Sequence, residues 1–367
     1  MRIKSSIAGQ AITFIALAIA CLQCHHPAGR QDDHAAVRQS SRVSSKGRDK
    51  KAILQYLSAL PQKNAGRVIS GQFESWGSEV RPLDDKENWL NIVYQKTGKW
   101  VGLVGAEYHN GQDVNYERPN QLFEDYWDQG GFCQLYLIMS NPAEPGSFNG
   151  GGKCDIQSVL NPDHAYNRHF FNELDKVAAG LEELRKKGVV VFLNMFAEAT
   201  ASWFWWGGDA DDFVALYRSA HDYLVKKKGL DNLLFIFEPS CSDTTALKFY
   251  PGDDYVDMIG FSLFIDYEKE LGPSSIQNYQ ELKKLGKPLA ISQWGPRRGK
   301  DQTNAADQPP ADNLKLMRGI QKYFPGIVWW MNWNYVYSIC TDDQSNYNAA
   351  ELLSHPWVVN RDDIALP

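Results

Sequence analysis

The apolar positions of this chain fall into short continuous runs separated by longer segments of helical period. The runs are Arg67–Phe73, Trp100–Ala106, Phe132–Met139, Val189–Phe196, Leu233–Phe237, Met258–Leu263, Pro288–Ser292 and Gly326–Asn332. Each is rich in Val, Ile, Leu and Phe, as parallel strands covered on both faces require. Between them the period lengthens. From Asp163 to Lys187, Phe170, Leu174, Val177, Leu181 and Leu184 recur three or four apart, and Lys186, Lys187 and Gly188 supply the cations and the glycine that end a helix. From Asp211 to Gly229, Phe213, Leu216, Tyr217, Ala220 and Leu224 repeat the design. This alternation predicts an α/β protein, a single (β/α)8 barrel occupying residues 48–367. A doubly wound open sheet is the rival, but no Gly-x-Gly-x-x-Gly turn follows any of the runs. A barrel carries its active site at the carboxyl ends of its strands.

Upstream of the barrel, Arg2 and Lys4 precede an apolar stretch, Ala11 to Ala20, that closes on Leu17-Ala18-Ile19-Ala20-Cys21. A basic start, a short apolar middle and small residues before a break describe an export signal over residues 1–20. The stretch is too short for a hydrocarbon core that needs roughly 20 residues. Small residues before Cys21 resemble a bacterial lipobox, so the expected location is the cell envelope, lipid-anchored at Cys21 or secreted. Residues 21–47 are polar and read as a flexible tether. Within it Cys24, His25 and His26 lack matching ligands and are read as tail rather than metal site.

Composition narrows the partner. With 38 Lys+Arg against 44 Asp+Glu the net charge is −6, which removes a basic nucleic-acid footprint. The 12 Trp, 17 Tyr and 17 Phe favour a ligand with flat apolar faces and hydroxyl edges, such as a sugar. No metal, cofactor or oligomer is expected. Of the barrel's cysteines, Cys133 opens the third strand, while Cys154, Cys241 and Cys340 fall in loops at the opposite end, roughly 23 Å away for a strand of seven residues. Cys133 is therefore expected as a buried thiol, and any disulfide should join two of the other three.

Carboxylates gather where the strands end: Glu74, Glu107, Glu198, Glu238 and Asp266. Two or three of the five are expected to be structural. The stretch from Asn194 to Gly207 contains Glu198 and then Trp203-Phe204-Trp205-Trp206. Four rings in succession beyond a strand end are not all expected to face the core, and an indole face can stack on the C–H face of a pyranose.

These residues resemble glycoside hydrolase family 26, chiefly β-mannanases, through Glu198-x-x-x-x-Trp203-Phe204-Trp205-Trp206-Gly207. The likeness continues through Tyr217-Arg218, Lys228 to Leu233, Tyr250-Pro251-Gly252-Asp253 onward to Gly260, and Gly286 to Gly295. The resemblance implies a barrel acting on a β-linked polysaccharide such as mannan, with an acid/base Glu after strand four and a nucleophile Glu after strand seven. Glu198 falls on the acid/base. Gln293 falls on the nucleophile, and an amide neither attacks an anomeric carbon nor offsets an oxocarbenium charge. Three further departures accompany it: Ala197 stands where the family has His, Ser262 where it has Asp, and Phe264 where it has the Tyr that orients the nucleophile. The expected glycan contacts are Trp203, Trp205, Trp206, Trp294, Glu107, Phe264 and Glu74, with Trp333 as the floor of the reacting subsite and Trp329 or Trp330 in the core. The glycine-rich insertion Pro145–Lys153 is expected to form a rim. An ordinary retaining hydrolase would need another carboxylate to move in for Gln293; two further function classes follow. One is a hydrolase of altered mechanism, either inverting with a base drawn from Glu74, Glu107, Glu238 or Asp266, or assisted by a substrate acetamido group that Gln293 would bind. The other is a surface glycan-binding protein that holds the chain without cutting it.

Overall fold

Eight strands close on themselves in chain order: β1 (Gly71–Trp76), β2 (Leu103–Glu107), β3 (Phe132–Tyr136), β4 (Val191–Asn194), β5 (Leu233–Phe237), β6 (Met258–Asp266), β7 (Leu289–Arg297) and β8 (Ile327–Asn332). Each pairs in parallel with the next, and β8 returns to β1 through Asn332 and Gln72. The architecture is therefore the predicted (β/α)8 barrel. The computed structural model describes residues 48–110, 113–144, 150–266, 269–297, 311–340 and 346–367. The export segment with Cys21, the tether, and residues 145–149 of the glycine-rich insertion lie outside the described residues.

The expected strands are all present, with changed ends. β1, β6 and β7 run past Phe73, Leu263 and Ser292 to Trp76, Asp266 and Arg297, while β4 stops at Asn194. Glu74, Asp266 and Gln293 thus belong to strands, and only Glu198 and Glu238 sit on loops beyond them. The helix Ala165–Lys186 buries Phe170, Leu174, Val177, Leu181 and Leu184, the stripe read from the sequence. Each such aliphatic or aromatic side chain contributes roughly 1.5–3 kcal/mol by leaving water. The helix Ala210–Asp222 buries Phe213, Leu216, Tyr217 and Ala220, starts on the Asp209 side chain, and continues into a π-helical turn, Tyr223–Lys227.

Cys133 is buried on β3, as expected. Cys154 and Cys340 both remain thiols, so the anticipated bridge within the set Cys154, Cys241 and Cys340 does not form. These three come from different loops, and sharing one end of a barrel does not bring sulfurs to the short Cβ separation that a disulfide demands.

Where β1 enters the barrel its backbone lies against β8. A Cβ at Gly71 would run into the Trp330 carbonyl oxygen and crowd Met331, all of it backbone or packed core. Gly71→Ala should therefore destabilise the fold by about 1–3 kcal/mol, the range for overfilled cores. Urea unfolding measures it; an unchanged midpoint would mean that the β1–β8 seam has slack.

Candidate active site

The site begins with an irregularity in β7. Leu289 and Ala290 pair with Ile259 and Gly260 of β6, but the next pair is Gln293 with Ser262, so β7 spends three residues where β6 spends two. In a regular strand Ser292 and Gln293 would point to opposite faces; a bulge removes that alternation. Both side chains reach the same carboxylate. Ser292 Oγ donates to Glu238 Oε2, and Gln293 Nε2 donates to Glu238 Oε1 at 2.6 Å. Gly260 makes the room, because a Cβ there would collide with the Ser292 hydroxyl.

Glu238, fully buried, also organises the loop after β4. Its Oε1 accepts the Glu198 backbone N–H at 3.2 Å, and its carbonyl accepts the Ala199 N–H at 2.7 Å. Glu198 needs such support, for its φ of 49° lies in the left-handed region, which costs a non-glycine residue about 1–3 kcal/mol. Burial pushes the Glu238 carboxyl up to about 7; its Ser292 hydrogen bond opposes the rise and the nearby Glu198 charge reinforces it.

The Glu198 side chain is partly exposed. Ser262 Oγ donates to its Oε1 at 2.5 Å, and the Trp203 indole N–H donates to its Oε2 at 2.8 Å. An indole can only donate, so a proton carried by Glu198 must sit on Oε1, against a hydroxyl able to accept it. Ser262 is the strand neighbour of Gln293. Glu198 and Gln293 are thus linked on one side through Ser262 and on the other through Glu238.

The aromatic block divides. Trp203 is 54% exposed. Trp205 and Trp206 are buried instead, donating to the Met139 and Ala197 carbonyls, and Phe204 stacks on Trp206 at 4.4 Å. Their faces are covered, so of the glycan platform expected from Trp203, Trp205 and Trp206 only Trp203 is open to a ligand. Trp294 is buried, with its carbonyl accepting the Trp333 N–H. Trp333 is 9% exposed; Phe73 covers one face at 4.0 Å, and Tyr136 and Trp76 meet it edge-on. Trp329 and Trp330 are in the core, as expected. Phe264 lies edge-on to Tyr337 over Gly295. Sequence reasoning missed Tyr335, which is 52% exposed, holds a left-handed φ of 51°, and stacks on Trp76 with its edge toward Trp89. Its place two residues beyond Trp333 was the available signal.

The other carboxylates are engaged elsewhere. Glu74 is buried, accepting the Trp89 N–H at 2.7 Å where the helix Trp89–Thr97 begins; burial pushes it up to about 8. Glu107 is buried against His109 Nδ1 at 2.6 Å, and His109 Nε2 meets Glu173 at 2.9 Å. Burial alone would depress the imidazole, but its two carboxylate partners override it and push it up to about 9. Both carboxyls expected to touch glycan are therefore buried on backbone amides or an imidazole, Glu107 through Oε1 alone, its Oε2 being buried without a hydrogen bond. Asp266 is exposed and ion-paired with Lys269 at 2.6 Å.

The profile of Glycosyl hydrolase family 26 matches residues 43–363. A mannan endo-1,4-beta-mannosidase of Bacillus subtilis is 27% identical over 333 residues, which span 86% of each chain. One from Caldalkalibacillus mannanilyticus is 27% identical over 338 residues, covering 86% of this chain and 61% of the other. Among solved structures, a Bacillus subtilis mannanase superposes with a TM-score of 0.74 at 24% identity, covering 87% of this chain and 96% of its own. A β-mannanase from a symbiotic protist of the termite Reticulitermes speratus, complexed with gluco-manno-oligosaccharide, gives 0.68 at 21% identity, covering 90% and 100%. At these identities the superpositions establish the fold alone.

The buried groups set a pH dependence. Glu74, Glu238 and His109 all have folded values above the ordinary 4.5 or 6.5, so the folded chain binds their protons more firmly than the unfolded one. Their stabilisation is complete at low pH and is lost as the pH rises through about 7, 8 and 9. The urea midpoint should fall steadily from pH 5 to 9. Glu74→Gln should remove the part between about 4.5 and 8, on the order of 5 kcal/mol. A midpoint that rises over this range would contradict the assignment.

Proposed function

Because the chain belongs to glycosyl hydrolase family 26, we propose that it engages a β-linked, mannan-type polysaccharide along the groove at the barrel mouth and does not run the family's retaining cleavage there. The substrate class rests on the relatives, whose names specify mannan endo-1,4-beta-mannosidases. The chemistry rests on one observation: Gln293, which we read in the nucleophile's place, is 7% exposed and commits its amide nitrogen to Glu238. Retention requires two carboxyl groups about 5–5.5 Å apart, one of them free to attack carbon. Inversion requires a base able to hold a water beyond the sugar. Of the strand-end candidates Glu74, Glu107 and Glu238 are sealed, and Asp266 is paired at the rim. Capture of the chain by Trp203, Tyr335 and the edge of Trp333 is the function this arrangement serves best.

A second reading has support of its own. Glu198 can carry a proton on Oε1, against the Ser262 hydroxyl, and Gln293, its nitrogen occupied, retains a carbonyl oxygen able to accept an acetamido N–H. Those are the parts a substrate-assisted cleavage of a 2-acetamido glycan would use. We further propose export and lipid anchoring at Cys21, supported by the basic, apolar and small-residue succession before it.

Two measurements follow. Affinity electrophoresis should show retardation by β-1,4-mannan, weakened about tenfold by Trp203→Ala, equivalent to ~1.4 kcal/mol. Assays of reducing ends on mannan, xylan and N-acetylated glycans should stay at background; release from mannan that Glu198→Gln abolishes would overturn the capture reading, and release from only the N-acetylated chains would select the second. Labelled palmitate should enter the full chain and be lost in Cys21→Ser, whereas label retained by that variant would remove the anchor.

A further inference from the structure

The function just described uses Glu238 only as the partner that occupies the Gln293 amide, yet its side chain binds three groups around Glu198 and Gln293. Three donors converge on its two oxygens: the Glu198 backbone N–H, the Gln293 amide and the Ser292 hydroxyl. The titratable groups facing it are Glu198, after β4, and Tyr136, on β3. Oε1 already accepts the Glu198 N–H, so a proton on Glu238 would sit on Oε2 against Ser292, and the atom that Gln293 presents to Oε1 is nitrogen in either state. Gln293 is held with its nitrogen inward.

We propose that Glu238 is a positioning residue that dictates the charge tolerated at position 293, locking an amide there and excluding a second carboxylate. The proposal rests on reading Gln293 as the occupant of the nucleophile's position. A carboxylate in its place would put an oxygen where Nε2 now lies, 2.6 Å from Glu238 Oε1 in a sealed site. Two anions so placed cannot both ionise; the pair keeps a proton between them. Neither partner is then a free nucleophile at neutral pH. Restoring glutamate at 293 therefore frees an anion only if residue 238 gives up its charge. Glu238→Gln suits this with its amide nitrogen turned toward residue 293: it donates there, its oxygen still accepts from Ser292 Oγ, and the Glu198 N–H gives up its 3.2 Å acceptor.

Carbon-13 titration of the glutamate carboxyls tests the idea without any glycan. In Gln293→Glu the two carboxyls should titrate as a coupled pair split by about two pH units or more, with the upper step above 7. In Glu238→Gln/Gln293→Glu the upper step should vanish and residue 293 titrate alone. Unsplit titration in the single variant, or an upper step that persists in the double one, would overturn the proposal. Should Gln293→Glu fail to fold, nitrogen-15 spectra of Glu238→Gln decide instead: the Gln293 side-chain N–H should move upfield on losing an ionic acceptor, and an unmoved resonance counts against it. Mannan cleavage answers a separate question. Cutting by the double variant at least about tenfold above Gln293→Glu would join both readings, whereas split titration with no cutting by either keeps the role of Glu238 and removes position 293 as the nucleophile's seat.

Discussion

Three segments of the barrel mouth converge on one sealed carboxylate. Glu238 holds the Glu198 backbone in its left-handed turn, the Gln293 amide and the Ser292 hydroxyl. Burying an ion is costly unless donors surround it, and here the donors are themselves parts of the site. A bulge in β7 places two successive side chains on the same anion, and Gly260 leaves them space. Strain at Glu198, irregularity in β7 and a missing side chain on β6 are thus three local costs tied to a single interaction.

The fold was legible in the sequence because it depends on repetition. Runs of apolar residues and two clear helical stripes sufficed to place all eight strands in order. Strand ends were less legible, since hydrophobicity stops before backbone pairing does: β7 continues through Gln293 and Trp294 although the apolar run closes at Ser292. A one-residue insertion in a ladder leaves no mark in composition.

The site was legible in part. Trp203 binds Glu198, and Glu238 links Glu198 to Gln293; the clue was a block of sequence rather than a periodicity. Trp205 and Trp206 were misjudged because a run of aromatics does not disclose which rings turn inward; their indole N–H groups find backbone carbonyls in the core. Glu74 and Glu107 were misjudged for a related reason. A carboxylate at a strand end faces either the cleft or the amides of the next helix and loop, and pattern alone does not separate the two.

The hydrogen bond from the Trp203 indole to Glu198 has a mechanical consequence. The exposed ring and the carboxyl group it binds are tethered by one short link, so they cannot shift independently. A saccharide lying against that ring would press on a lever whose far arm is the carboxyl group, and occupancy at the edge would be felt at the centre before any bond of the sugar came within reach.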